Sequence, residues 1–458
     1  MKEKNYGDYM PRVAFRTLGC RVNQYETQLM REQLELTCRL VDDEADIYVI
    51  NTCIVTALSE RKSRQLISRV RRNCQPVKVL VTGCMAEAMG EEIAKIKGVD
   101  IVFDNGLKTE VKRIVDRSLE GEHGYLPAST QTGWQAKTIC SQAGRVRAFL
   151  KVQDGCNSAC SFCRVTKLRG STQSKPIAIA QREARQLIAN GYPEIILTGI
   201  NLAQYGDDLL SSDLPALIAS LLEIDGLRRL RLGSIDPHGI TDELVSLFAS
   251  DSRACPHFHI PLQSGADRIL AAMRRGYDTA VYRSRITQIK EMIDDATFGT
   301  DLIVGFPGET EDDFTHTCTL IEEIGFVNLH IFRYSPRPGT DAASFSAPVC
   351  EREKSKRSKI LNDLASKERV RIKSGFLGKK EEILVEGRSR DGRWRGYTRG
   401  YIDTHIDAPV HRVGLPDPAK IKPGEFVNLW LTRMQTQTDR NRLQQEFLLG
   451  VSEYNRRK

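Results

Sequence analysis

The chain has 458 residues, 40% apolar and 28% charged, with 34 Gly and 17 Pro. That composition excludes collagen-like and low-complexity chains, and at about 150 residues per domain the length has room for roughly three domains. The net charge of +8 is uneven: residues 351–458 hold 25 Lys and Arg against 15 Asp and Glu, and the rest of the chain 42 against 44, which places a polyanion-facing appendage at the basic end.

From Arg12 to about Asp104 short apolar runs (VAFRTLG, DIYVINT, VKVLVTG, DIVF) alternate with amphipathic stretches such as YETQLMREQLEL, the pattern of a doubly wound parallel sheet. An N-terminal domain over 11–116 is expected. Residues 117–144, rich in turn formers and without periodicity, read as a linker. Six further candidate strands follow, RAFLKVQ, EIILTGI, LRRLRLGSI, HFHIPLQ, TDLIVGF and VNLHIFRY, separated by helix-length sequence. They predict an open six-fold β/α barrel over 145–374, closed by a charged connecting helix. Over 375–451 short strands with turns predict a small antiparallel β-barrel. No apolar run reaches the ~20 residues needed to span a bilayer, and the polar start MKEKNYGDYMPR lacks a secretory apolar segment. A cytoplasmic location with no membrane contact is expected.

Twelve Cys in a reducing cytosol point to metal or redox chemistry wherever they cluster. GCNSACSFC places Cys156, Cys160 and Cys163 in one loop after a strand. Three such thiolates can hold three irons of a 4Fe-4S cubane and leave the fourth open, where S-adenosylmethionine could chelate and be cleaved to a radical. The alternative, a zinc knuckle, normally wants four ligands, and no His lies nearby. Cys20, Cys53 and Cys84 each follow a candidate parallel strand, in TLGC, INTC and VTGC. Any one of them alone reads as a small buried residue. Carboxyl ends of parallel strands share one edge where ligands bind, so together they predict a second three-Cys centre. Cys38, Cys74, Cys140, Cys255, Cys318 and Cys350 have no comparable spacing and read as incidental thiols. GFPG also fits a GXXG nucleic-acid loop, but its place after TDLIV favours a barrel strand end.

With TLGCRVNQYET, INTCIVT, VTGC, GCNSACSFC, LTGIN, HIPLQSG and DLIVGFPGET, the chain resembles the radical S-adenosylmethionine methylthiotransferases over nearly its whole length. TLGCRVNQYE resembles most the branch acting on threonylcarbamoyladenosine in tRNA. The resemblance implies an N-terminal domain with an auxiliary cluster, a radical barrel and a C-terminal TRAM domain. It implies two 4Fe-4S clusters and S-adenosylmethionine used both as methyl donor and as radical source. A deoxyadenosyl radical would take hydrogen from C2 of the adenine, and the carbon would then take the methylthio group. Implied partners are tRNA, an electron donor such as flavodoxin or ferredoxin, and a sulfur donor that the sequence does not name. Carried over residue by residue, Phe162 matches an aromatic position near adenine and Gly199 a backbone contact to the methionine portion. Ser234, Asp236, Gln263 and Asp301 match cofactor positions at later strand ends. The chain departs from the family at Arg164 to Leu168, where an apolar, proline-containing stretch is usual, at Asp236, where Glu is common, and at Lys175, where Arg is common.

Within RWRGYTRGY, period-two alternation would put Arg393, Arg395, Tyr397, Arg399 and Tyr401 on one face of a continuous strand. Cations and aromatics together suit RNA phosphates and bases; a charged hairpin with packed Tyr is the other reading. Methylthiolation of isopentenyladenosine in tRNA, methylthiolation of a ribosomal-protein aspartate, and a non-catalytic iron-sulfur RNA-binding protein remain the competing functions.

Overall fold

The computed structural model describes residues 10–73, 77–128, 133–406, 421–438 and 444–452. Cys74 and parts of the C-terminal region, 407–420 and 439–443, lie outside the described residues. The chain forms two compact units, Met1–Ala143 with Cys163–Ser171, and Gly144–Phe162 with Thr172–Lys458.

In the first unit, β1 (Arg12–Thr17), β2 (Arg39–Val41), β3 (Ile47–Thr52), β4 (Lys78–Gly83), β5 (Ile101–Phe103) and β6 (Gly124–Leu126) form a parallel sheet in the order β2-β1-β3-β4-β5-β6. It is wound by α1 (Arg21–Leu34), α2 (Ala57–Asn73), α3 (Cys84–Ala94) and α4 (Val111–Leu119). Strand residues alternate between two cores. Tyr48, Ile50, Val79 and Val81 fill one, and Ile47, Val49, Leu80 and Ile101 the other. Burial on both faces is the requirement of a doubly wound parallel sheet. The expected linker is in part structural: Gly124–Leu126 pairs with β5 as the edge strand. Three residues among turn formers are too few to show a period.

In the second unit, β7 (Arg147–Lys151) is followed by a two-residue pair, β8 (Gln153–Asp154) and β9 (Gln173–Ser174). The intervening α5 (Val165–Arg169) belongs to the first unit. The barrel continues through α6 (Ile177–Ala189), β10 (Glu194–Thr198), α7 (Leu214–Leu222), β11 (Arg229–Arg231), α8 (Asp242–Ser250) and β12 (His257–His259). After α9 (Asp267–Met273) and α10 (Thr279–Met292) come β13 (Thr297–Val304), α11 (Glu311–Ile324), β14 (Asn328–Arg333) and α12 (Glu351–Ser374). Two parallel three-stranded sheets, β11-β10-β7 and β12-β13-β14, are joined by the bridges Leu230↔Ala254 and Ser234↔His259. All six expected barrel strands are present, with β7 and β14 at the two ends. Asp213 caps α7 ahead of Pro215, and Thr310 and Asp313 close a capping box on α11; these caps fix where the loops at the barrel mouth end.

β15 (Lys380–Arg388), β16 (Trp394–Tyr397), β17 (Asp403–Ile406), β18 (Phe426–Thr438) and β19 (Gln444–Ser452) close a small barrel in the order β15-β16-β17-β19-β18. It is antiparallel except for the parallel pair β17 and β19. GFPG directly follows β13, and Gly305 donates its N–H to Glu309 Oε2 at 2.7 Å, so it is a barrel strand end. No helix among the described residues is long and apolar enough to cross a membrane.

The small barrel is fastened to the amino ends of the radical-barrel strands by buried charge. Glu194, at the start of β10, is fully buried, with Arg231 at 3.0 Å, Arg147 at 3.5 Å and Arg229 at 3.7 Å. Burial pushes its carboxyl up, yet the guanidiniums hold it below the usual carboxylate range. Arg229 Nη1 donates to Tyr397 O at 3.0 Å, Arg231 Nη1 to Arg399 O at 2.9 Å and Thr297 Oγ1 to Gly400 O at 2.6 Å. Removing one partner of such a network strands buried charge. Glu194→Ala is therefore expected to lower unfolding stability by about 3–5 kcal/mol, read by denaturant melts; a loss of less than about 1 kcal/mol, the scale of an exposed ion pair, would contradict this role.

Candidate functional site

Parallel pairing places the carboxyl ends of β1, β3 and β4 side by side; β3 and β4 run directly into Cys53 and Cys84, and β1 reaches Cys20 after Leu18 and Gly19. Cys20 caps α1, Cys53 follows β3, and Cys84 opens α3. The two glycines before Cys20 and Cys84 make the approach possible. Gly19 has φ +103°, and a Cβ there would stand 2.9 Å from Cys53 Cβ and 3.0 Å from its Sγ. Gly83 has φ +96°, and its Cβ would stand 2.4 Å from Thr52 O. Neither position tolerates a side chain.

All three residues are free thiols. Burial pushes the Cys53 thiol up, and the neighbouring Cys84 and Cys20 push in the same direction. Arg169 Nη2 donates to Cys84 Sγ at 3.7 Å and to Asn23 Oδ1 at 3.1 Å, and Nη1 donates to Glu26 Oε1 at 2.8 Å. Glu26 also takes Lys108 Nζ at 2.5 Å, and these side chains are almost wholly buried. Burial pushes the Lys108 ammonium down while Glu26 draws it up, and the Arg169 guanidinium is the cation that faces the thiols. A donor set of three thiols with that guanidinium beside it suits an anionic, thiolate-bound group. Lys108 and Arg169 were invisible to sequence reasoning, because neither lies in a cysteine motif and only the fold brings them to Glu26.

The loop from Cys156 to Cys163 is pinned from several elements. Ser161 N–H donates to Met273 O at 3.0 Å and its hydroxyl to Ala272 O at 2.8 Å, while Asn157 N–H donates to Gln204 Oε1 at 2.9 Å. Each thiol accepts a hydrogen bond: Cys156 from Ser158 N–H at 3.4 Å, Cys163 from Val165 N–H at 3.4 Å, and Cys160 from Arg275 Nη1 at 3.1 Å. Burial pushes the Cys160 thiol up while Arg275 draws it down. Hydrogen bonds and cations at sulfur stabilise thiolate ligands and tune a cluster, so these residues fit the group that the motif implies.

Asp236 holds Arg275 from the other side in an ion pair and takes Asn201 Nδ2 at 3.1 Å. The expected cofactor residue is thus tied to the cluster loop through a buried arginine. Arg275 was missed, although a charged Arg-Arg-Gly run after HIPLQSG was its only available signal. Gly199 packs so closely that a Cβ would meet Gln153 Oε1 at 2.9 Å, and that oxygen accepts the N–H groups of Ile200 and Asn201 at 2.8 and 2.9 Å. Phe162 sits edge-on to Phe306 at 6.4 Å. Ser234 bridges to His259, and Gln263, at φ +67°, exchanges backbone hydrogen bonds with Asp301 and Ile303. Asp301 accepts from His259 Nε2 at 3.2 Å and His330 Nδ1 at 2.9 Å. Gly199, Ser234, Asp236 and Gln263 stand beyond strand ends, where a barrel positions its ligand contacts, whereas Asp301, expected at a strand end, lies inside β13.

The five residues expected on one RNA-facing strand are not on one. β16 ends at Tyr397, the chain turns with Tyr401 at φ +61°, and β17 returns. Tyr397 and Tyr401 stack on each other at 4.8 Å beneath Arg147, Tyr401 packs on His257, and Arg399 donates to Ala254 O at 3.1 Å. Arg393 donates to Gln435 and Arg395 to Asp403, at 2.9 and 2.8 Å. Arg395, Tyr397 and Tyr401 line a cavity of about 250 Å³ with Arg369 and Lys373. The tyrosines and Arg399 fasten the small barrel to the radical barrel. Cys38 and Cys255 are buried incidental thiols.

Residues 150–321 match the Radical SAM superfamily and 12–104 the group described as Uncharacterized protein family UPF0004. The threonylcarbamoyladenosine tRNA methylthiotransferase MtaB of Thermotoga maritima is 37% identical over 398 residues, 86% of this chain and 91% of that protein. The chain belongs to the radical SAM methylthiotransferase family. MtaB of Aquifex aeolicus is 37% identical over 86% of this chain and 96% of its own. The tRNA-2-methylthio-N(6)-dimethylallyladenosine synthase of Saccharophagus degradans is 33% identical over 85% and 88%. Among solved structures, the radical S-adenosylmethionine methyltransferase TsrM of Kitasatospora setae, with tryptophan substrate and a cofactor analogue bound, superposes with TM-score 0.54 at 14% identity. It covers 73% of this chain and 75% of that one; at that identity it shows the fold alone. For this family member, the three-thiol loop and radical barrel are consistent with one iron-sulfur cluster and S-adenosylmethionine.

Arg275 is the cation between Asp236 and the Cys160 sulfur. Arg275→Met is expected to slow reductive cleavage of S-adenosylmethionine by about tenfold or more, the scale of one hydrogen bond to a charged group, with Arg275→Lys in between. Deoxyadenosine formation under reducing conditions measures this, and an unchanged rate in the Met variant would contradict it.

Proposed function

We propose that this protein inserts a methylthio group at C2 of N6-threonylcarbamoyladenosine next to the anticodon of tRNA. The observation that carries the reading is the second set of thiols, Cys20, Cys53 and Cys84, gathered at adjacent strand ends beside a buried guanidinium. Radical generation needs only the first set; a second one suits an enzyme that must also hold the sulfur to be inserted. The choice of nucleoside is supported by the Thermotoga and Aquifex relatives, at 37% identity, against 33% for the dimethylallyladenosine relative named above.

When bound, two 4Fe-4S clusters and S-adenosylmethionine supply one-electron chemistry able to break an inert aromatic C–H bond, together with the sulfur and methyl that replace the hydrogen. This chain's residues do the rest. Cys156, Cys160 and Cys163 would hold the radical-generating cluster. Arg275 offsets the charge of Cys160, and Asp236 fixes the guanidinium. Cys20, Cys53 and Cys84 would hold the auxiliary cluster, with Arg169 offsetting its charge and Glu26 and Lys108 orienting Arg169. Gly19 and Gly83 let the backbone close around those sulfurs. The basic C-terminal end of the chain would contribute affinity for tRNA phosphates, and a low-potential protein of the flavodoxin or ferredoxin type would supply electrons in the cytoplasm.

Mass spectrometry of tRNA nucleosides from a deletion strain is expected to show loss of the methylthio derivative and accumulation of threonylcarbamoyladenosine; an unchanged profile would refute the substrate. Cys20→Ala is expected to keep forming deoxyadenosine yet make no methylthiolated product, whereas Cys160→Ala stops both. Product from the Cys20 variant would refute the second site, and deoxyadenosine from the Cys160 variant the first.

A further inference from the structure

Three strands bring an imidazole, a carboxylate and a second imidazole to one face of the radical barrel. Side chains alternate along each strand. Phe258 of β12 packs on Phe248 of α8 and Phe298 of β13 stacks on Phe258, so His259, Gly299 and Asp301 face the other way. Register pairs Asp301 with His330 on β14. Gly299 makes room for the arrangement, because a Cβ there would stand 2.9 Å from His259 Nδ1. His259 Nε2 and His330 Nδ1 both approach Asp301 Oδ1, at 3.2 and 2.9 Å, and the two rings lie 5.4 Å apart. Burial pushes the Asp301 carboxyl up, but these two hydrogen bonds hold it well below the usual carboxylate range.

The ring atoms turned inward are thus spent on Asp301. What remains is the far nitrogen of His330, Nε2, on a side chain 60% exposed. Two residues further along the same face of β14 is Phe332, one of the large apolar side chains left exposed. As the imidazolium, with Nδ1–H on Asp301 and a second proton on Nε2, the ring offers a charged hydrogen bond to an anion, and the exposed aromatic ring beside it offers a stacking surface to a base. The ligand chemistry that matches both is an adenosine carrying an aliphatic carboxylate. Two molecules in the reaction have it: the threonylcarbamoyl nucleoside through its threonyl group, and S-adenosylmethionine through its methionyl group.

Resting on the substrate reading above, we propose that His330, oriented by Asp301 and protonated on both ring nitrogens, donates a hydrogen bond to the threonyl carboxylate of the target nucleoside and so selects it over adenosines with an apolar N6 substituent. An isopentenyl group in the same place would leave the imidazole donor facing hydrocarbon, and an unpartnered donor of this kind discriminates more strongly than a missing apolar contact. His259 and Gly299 position the carboxylate that aims the ring.

The test compares anticodon stem-loop RNAs carrying threonylcarbamoyladenosine as the free acid or as its methyl ester, with reconstituted holoenzyme. The wild-type enzyme is expected to prefer the acid by roughly tenfold to hundredfold in kcat/KM, the range of one hydrogen bond to a charged group. His330→Leu should bring the acid down to the level of the ester, and His330→Gln, which keeps a donor, should recover part of the preference. Acid and ester used equally by the wild-type enzyme overturn the inference alone, and that arm requires no variant to fold. A preference that survives in His330→Leu also overturns it. Weakened S-adenosylmethionine binding in His330→Leu by equilibrium dialysis, with the acid preference intact, would assign the carboxylate to the cofactor instead. A stoichiometric divalent cation, removed by chelator and absent from His330→Leu, would make the cluster a metal site and overturn the inference too. Wild-type enzyme that modifies isopentenyladenosine RNA but not the threonylcarbamoyl RNA overturns both this inference and the substrate reading.

Discussion

Parallel strand pairing is the constraint from which the rest of the molecule follows. In a parallel sheet all carboxyl ends lie on one edge, so any residue type repeated just after successive strands becomes a cluster in space. The first unit uses this with cysteine, at the ends of β1, β3 and β4. The second uses it with a mixed set, in which Gly199, Ser234, Asp236 and Gln263 stand beyond strand ends, while Asp301 lies inside β13. Neither arrangement needs long-range coincidence in the sequence, only a correct register. Glycine then decides how close the ends can come, at Gly19, Gly83, Gly199 and Gly299.

Buried charge has two different jobs in this chain. At the amino ends of the radical-barrel strands it is structural: Glu194 gathers three arginines, and two of them, Arg229 and Arg231, donate to backbone carbonyls of the small barrel. Pairs of that kind stabilise little against apolar packing but fail badly when one partner is lost. They therefore specify one docking geometry. Near the thiols, the cations Arg169 and Arg275 instead approach sulfur, at 3.7 and 3.1 Å, and each is backed by a carboxylate on its other side. A guanidinium held in this way offsets thiolate charge without moving when the charge changes.

The cysteines were legible because their signal is local: each motif contains the strand end, the glycine or loop, and the thiol within a few residues. The barrel strands were legible for the same reason, as continuous apolar runs. Arg169, Lys108 and Arg275 were not, since they reach their partners only through the fold and carry no motif of their own. His330 lies inside a recognised strand, yet its pairing with Asp301 depends on register between strands 29 residues apart in sequence. The basic-aromatic strand shows the opposite failure. Its alternation was real in sequence, but Thr398 to Ile402 form a turn, with Tyr401 in a left-handed conformation and Ile402 N–H bonded to Thr398 Oγ1 at 3.1 Å. Its tyrosines are spent on holding the small barrel.

The account stands on two separate open three-thiol sites in one chain. Iron and acid-labile sulfide per chain, measured on anaerobically reconstituted wild-type protein, test it most directly. About eight of each, with a Mössbauer spectrum of cubane clusters only, is the result that follows from two 4Fe-4S sites. About four of each, or zinc retained at either set of thiols, would contradict it.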